Sequence, residues 1–154
     1  MTDNRSYELR DGDYVVSTDR ALLDAPRIHA FLTRSYWSEG VTLEAVGRSV
    51  EHSLPFGLYF SGEQVGFIRV ITDYVSLAYV ADVYVEEEHR GKGLGKLLMR
   101  AVSEHPELQG LRRWLLGTRD AHGLYRQFGF REPRRPDRWM EKHDPRLYKH
   151  EGAP

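Results

Sequence analysis

Residues 83–99 read Val-Tyr-Val-Glu-Glu-Glu-His-Arg-Gly-Lys-Gly-Leu-Gly-Lys-Leu-Leu-Met, and this run constrains the chain more than any other. An apolar strand ends in an acidic turn, passes through a loop with glycine at positions 91, 93 and 95, and enters an amphipathic helix. Glycine at alternate positions removes the Cβ atoms that would hold a ligand away from the backbone. The loop amides then lie at a helix N-terminus, where unpaired N–H groups and the helix dipole favour an anion. Arg90 and Lys96 bracket the same spot with positive charge. The loop reads as a phosphate cradle.

Its spacing excludes the two commonest nucleotide loops. A dinucleotide fingerprint, G-x-G-x-x-G, needs its third glycine one residue later than Gly95. A P-loop needs Ser or Thr after Gly-Lys, and here Leu97 follows Lys96. What remains is R-x-x-G-x-G, met by Arg90, Gly93 and Gly95 directly after a strand. Downstream, Asp120-Ala121-His122-Gly123-Leu124-Tyr125-Arg126-Gln127-Phe128-Gly129-Phe130 places a Tyr five residues before the Phe of a Gly-Phe pair.

These two motifs, in this order and about a strand and a helix apart, resemble the GNAT superfamily (GCN5-related N-acetyltransferases). The resemblance spans roughly residues 14 to 142. It implies a mixed α/β fold with a central, mostly antiparallel sheet, one splayed parallel strand pair, and helices on both faces. It also implies acetyl-CoA as co-substrate and acetyl transfer to a primary amine by direct attack in a ternary complex. The coenzyme would lie along Val83, Tyr84 and Val85 and on the loop Arg90, Gly91, Lys92, Gly93, Leu94, Gly95 and Lys96. Tyr125 would stand near the coenzyme sulfur. A tyrosine keeps its proton at neutral pH, as a general acid for the thiolate must.

Asp82 is an acid inside an apolar strand, and a buried carboxylate needs a role or a partner. By the resemblance an acid here faces the acceptor. Asp82 is the leading base, directly or through water, and Asp73 the second; a hydrogen-bonded structural aspartate is the open alternative for Asp82. Tyr36, Trp37 and Trp139 are candidate acceptor contacts, because the family's first interhelical loop and last hairpin cover that site. Relatives often carry Asn near the start of the short helix, where this chain offers Thr118, Asp120 and His122. The rival function is a non-catalytic CoA or acetyl-CoA sensor. Homodimers are common among relatives.

Composition narrows the remaining classes. A chain of 154 residues reads as one domain, residues 1–154, with a loose lead-in over 1–13 and a tail over 143–154. It has no cysteine, and its seven histidines fall into no helical ligand spacing, so no metal is expected. A formal charge of −1 argues against nucleic acid. No run is long enough to span a membrane and no secretory apolar region opens the chain, so a cytoplasmic location is expected.

Periodicity supplies the element order. A strand is expected at 14–17, then helices capped by Asp24 and Thr42. Three hairpin-connected strands follow at 56–61, 65–72 and 77–85, with Glu86, Glu87 and Glu88 as a solvated turn. The helix after the glycine loop carries Leu94, Leu97, Leu98, Ala101 and Val102 on one stripe. A crossover strand at 113–117, a short helix capped by Asp120, and a final hairpin containing Trp139 complete the expected order.

Overall fold

A computed structural model describes residues 5–148; the first four positions of the lead-in and positions 149–154 of the tail lie outside the described residues. Six strands form one sheet in chain order: β1 (Glu8–Asp11), β2 (Tyr14–Ser17), β3 (Leu54–Phe60), β4 (Glu63–Thr72), β5 (Leu77–Val85) and β6 (Arg113–Leu116). Every neighbouring pair is antiparallel except β5 and β6, which run parallel across the crossover helix α3 (Leu94–Glu104). Helices α1 (Ala25–Leu32) and α2 (Leu43–Glu51) precede β3, and the short α4 (His122–Arg126) follows β6.

Local chemistry accounts for most boundaries. The Asp24 side chain accepts from the Arg27 amide, with Pro26 tolerated in the first turn of α1, and Thr42 caps α2 through the Ala45 amide. The β3–β4 hairpin closes through Ser61 and Gly62, both at positive φ, which matches a two-residue type I′ turn. Gly129, at φ +88°, ends the segment that carries α4.

Two apolar cores lie on opposite faces of the sheet. One joins Leu94, Leu97, Leu98, Met99, Ala101 and Val102 of α3 to strand residues such as Phe56, Ile68 and Val80. The other joins Ile28, Leu32 and Val46 of α1 and α2 to Phe67 and Tyr84. A β-bulge in β5 decides which face each residue joins. Arg69 pairs with Ala81 and Phe67 with Tyr84, so Ile68 alone opposes Asp82 and Val83. Ala78 and Val80 face α3 before the bulge; beyond it Val83 and Val85 do, and Tyr84 turns to α1. Asp82 takes φ +56° at the bulge, a conformation that Asp tolerates better than most residues.

Three expectations are corrected. The lead-in is not loose from residue 8 onward: β1 pairs with β2, Glu8 opposite Ser17, as a polar edge strand of a kind that alternation barely reveals. Asp120 does not cap α4. The Thr118 hydroxyl accepts from the Ala121 amide instead, while the Asp120 carboxylate stands exposed beside Arg119. The final hairpin does not form. Residues 131–148 are exposed and hold one short 3-10 turn at Pro136–Arg138, and the prolines at 133, 136 and 145 remove ladder donors from this stretch. Among the described residues no helix is long and apolar enough to cross a membrane.

Candidate active site

The glycine loop forms one wall of a cleft of about 360 Å³ at the C-terminal end of β5. Val85, Arg90, Gly91, Gly93, Gly95 and Lys96 line it. Gly91 and Gly93 take φ +80° and +74°, so both positions need glycine for backbone reasons as well as for ligand approach. Gly93 is the N-cap of α3 and has no side chain to offer, which leaves the first-turn amides without an intrahelical acceptor. Those donors and the N-terminal end of the helix dipole face the cleft beside Arg90 and Lys96.

Two expected contacts differ. The Lys92 ammonium leaves the cradle and donates to the Tyr14 hydroxyl at 3.3 Å, lying over its ring. The Tyr84 side chain is buried on the opposite face, stacked on Phe31 at 3.9 Å, so only its backbone remains near the cleft. Leu94 also lines it, and so do His89, Leu124 and Gln127, which the glycine-loop spacing did not reveal.

Beside the cradle the sheet opens. Parallel pairing of β5 and β6 ends at Val80 opposite Leu116, five residues before β5 itself ends at Val85. The Glu86 amide donates to Val65 on β4, so by alternation the Val85 carbonyl points away from β4, and it accepts from Arg90 Nε at 2.9 Å. Val83 lies on the same open edge. Tyr125 is buried in the core cluster against which Val83 packs, beside Phe130, and burial raises its pKa above the ordinary tyrosine value, helped by Tyr36 and Asp120. Leu124, the residue before it, lines the cradle.

A second cleft, about 610 Å³, lies on the α1 side and meets the first at Arg90. Tyr36 and Trp37 line it together with Phe31, Arg34, Glu87 and Arg119. The loop between α1 and α2 is tied down across the opened strands at two points. The Arg119 amide donates to the Tyr36 hydroxyl, with the guanidinium 3.9 Å from the ring centroid, and Trp37 Nε1 donates to Asp82 at 3.0 Å.

Asp82 is a partnered carboxylate. Its other oxygen accepts from Arg69 Nε at 2.6 Å, with the side chains only 8% and 15% exposed. Asp73 is not brought to either cleft: it sits in the β4–β5 turn, where its carboxylate accepts from the Ser76 hydroxyl and from the amides of Val75, Ser76 and Leu77. Those bonds, the hydroxyl first, hold it well below the usual carboxylate range, which makes it a poor base. Trp139 also stands apart, its ring under the Arg113 guanidinium at the outer edge of β6. Glu86 is not simply solvated: Arg27 of α1 grips it in a two-bond pair of 2.8 and 2.9 Å. Among the described residues no cluster of three His, Cys, Asp or Glu side chains is placed to hold a metal.

The model of the acetyltransferase (GNAT) family matches residues 17–130. A protein of Gibberella zeae named as an acetyltransferase, FG08082, is 36% identical over 137 residues, covering 74% of this chain and 76% of that protein. The crystal structure of a GNAT-family protein from Xanthomonas campestris pv. campestris superposes with a TM-score of 0.87 at 49% identity, covering 89% of this chain and 97% of the other. A GNAT-family acetyltransferase from Elizabethkingia anophelis with acetyl-CoA bound shares the fold, with a TM-score of 0.61 at 16% identity over 79% of this chain and 78% of its own.

Proposed function

The chain belongs to the GNAT family of acetyltransferases, and from that premise we propose that it transfers the acetyl group of acetyl-CoA to a primary amine by direct attack in a ternary complex. The observation that carries this reading is the position of the cradle. It lies beside strands whose pairing stops at Val80, and Leu124, the residue before the buried Tyr125, lines it. The first-turn amides of α3, Arg90 and Lys96 would hold the pyrophosphate. The pantetheine arm would continue the sheet along Val83 and Val85, a form of strand addition in which main-chain bonds supply affinity. Arg90 would exchange its bond to the Val85 carbonyl for the coenzyme.

The amine would enter from the second cleft, between Tyr36 and Trp37 on one side and the Glu87 carboxylate on the other. Holding amine and thioester together supplies proximity. Tyr125, kept protonated by burial, would give its proton to the departing thiolate. The geometry favours the structural role for Asp82. A carboxylate already bound to a guanidinium and an indole N–H is a weak proton acceptor, so Asp82 would fix the bulge and Trp37. The amine proton would leave through the open cleft to water or to the exposed Glu87 and Glu88.

Thermal melting tests the coenzyme assignment. Acetyl-CoA or CoA at one hundred times its dissociation constant should add about 2.7 kcal/mol of stability, a rise of several degrees for a domain of this size. ATP and NAD should add nothing. Thiol release from acetyl-CoA across a panel of amines then tests turnover. A shift with neither CoA species would overturn the reading, and a shift without turnover on any amine would favour the sensor alternative.

A further inference from the structure

The cradle has a rim residue that the glycine motif does not account for. His89 lines the cleft one position before Arg90, and its ring is held from outside by an element far away in the chain. The Tyr14 hydroxyl, on β2, lies 2.8 Å from His89 Nδ1, and the two rings meet edge to face. Phe60, at the end of β3, packs on both rings, with centroids 4.9 Å from Tyr14 and 5.2 Å from His89. Lys92 closes the chain of contacts by donating to the same Tyr14 oxygen.

Counting protons along this chain assigns the imidazole tautomer. An ammonium group only donates, so the Tyr14 oxygen accepts from Lys92. Tyr14 has one proton of its own, and the neighbour placed to take it is His89 Nδ1. If Nδ1 carried a proton instead, the Tyr14 oxygen would face two donors while its own proton had no described acceptor. In the neutral imidazole this makes Nδ1 the acceptor and puts the proton on Nε2. With Nδ1 turned to Tyr14, Nε2–H is the remaining donor of a ring whose residue lines the cleft.

We propose that His89 is a phosphate-binding residue of the cradle, donating Nε2–H to a coenzyme pyrophosphate oxygen, with Tyr14 and Lys92 as the positioning residues that fix its tautomer. This rests on the coenzyme A reading of the cradle. It also explains why Lys92, the cation at the loop's centre, points outward. Lys92 acts on the anion at second hand, through Tyr14, while the backbone, Arg90 and Lys96 meet it directly.

The test combines calorimetric titration of CoA with imidazole nitrogen NMR of the ligand-free protein, both at about pH 8, above the ordinary histidine range. His89→Phe keeps a ring against Tyr14 and Phe60 but removes the donor. Loss of a hydrogen bond to a charged group should weaken CoA about tenfold or more. His89→Gln restores an N–H donor and should recover most of that loss. With saturating acetyl-CoA, the loss should appear mainly as a rise in KM for the coenzyme, with a smaller change in kcat. In the NMR experiment His89 should show a protonated Nε2 and an unprotonated Nδ1, and Tyr14→Phe should let the Nδ1–H form appear. Ligand-free melting confirms that each variant is folded; if His89→Phe is not, the NMR result decides alone. Wild-type CoA affinity in folded His89→Phe, or a dominant Nδ1–H tautomer in the wild type, would overturn the proposal. Failure of the wild type to bind CoA would instead overturn the coenzyme reading, while the tautomer assignment would stand or fall on the spectrum.

Discussion

Replacing Asp82 separates its two possible roles, as anchor and as base, and the structure sets the size of the effect. Asp82→Ala removes the partner of Arg69, whose side chain is only 15% exposed. Stranding one member of a buried ion pair costs about 3–5 kcal/mol, and residual water access to Arg69 places this case near about 3 kcal/mol. Alanine at φ +56° adds about 1 kcal/mol of backbone strain that aspartate bears better. Trp37 also loses its acceptor, but its partly exposed ring lets water replace it at little cost. The total is about 4 kcal/mol, a fall in melting temperature of about 10 °C. Asp82→Asn keeps an acceptor for Trp37 and tolerates positive φ, and so should cost about half as much. Urea unfolding with an unchanged m-value measures both. Adding Arg69→Leu to Asp82→Ala should recover part of the loss, because no charge is then left unpaired. A loss below about 1 kcal/mol for Asp82→Ala would refute the anchor argument. A stable Asp82→Asn variant with abolished turnover would return Asp82 to the role of base.

Tyr125→Phe should lower kcat with CoA affinity nearly retained, and should remove any alkaline limb, which burial places above the ordinary tyrosine range; wild-type rates on an accepted amine would exclude the acid role. Gly93→Val should abolish measurable CoA binding, but the positive φ at Gly93 adds a fold cost of about 1–2 kcal/mol, so melting must be read beside affinity. The Tyr84 hydroxyl is buried with no hydrogen-bond partner, so Tyr84→Phe should be neutral or stabilising by about 1 kcal/mol in urea unfolding, and a clear loss would mean the hydroxyl is satisfied. Burial lowers the pKa of His105, so the unfolded chain binds its proton more readily. The stability it contributes is complete above about pH 6.5 and declines as pH falls below that value. His105→Asn should flatten that part of the stability–pH curve, and an unchanged slope would remove His105 from the explanation.

Short-range signals carried much of this structure. Gly91, Gly93 and Gly95 marked the loop: the first two hold positive φ, and a Cβ at Gly95 would meet the Leu124 side chain at 3.3 Å. Asp24 and Thr42 marked helix starts because a cap is a bond between a side chain and an amide three residues away. The α3 stripe and the three central hairpin strands followed from apolar periodicity. Where local rules were evenly balanced, the reading failed. Glu8–Asp11 has too few apolar residues to announce a strand, and Trp139 suggested a hairpin that the surrounding prolines do not support.

The sequence by itself therefore determined most of the element order and the glycine loop, because each depends on residues within a few positions of one another, while Tyr125 as candidate acid followed from the family resemblance. Tertiary structure alone decided what depends on distant partners. The choice between base and structural aspartate for Asp82 turns on Arg69 and Trp37, 13 and 45 residues away, which both bond its carboxylate. His89 lines the cleft with its ring bonded to Tyr14, 75 residues earlier. Protonation and orientation are set by whichever groups the fold brings within hydrogen-bond distance, and no local spacing encodes that.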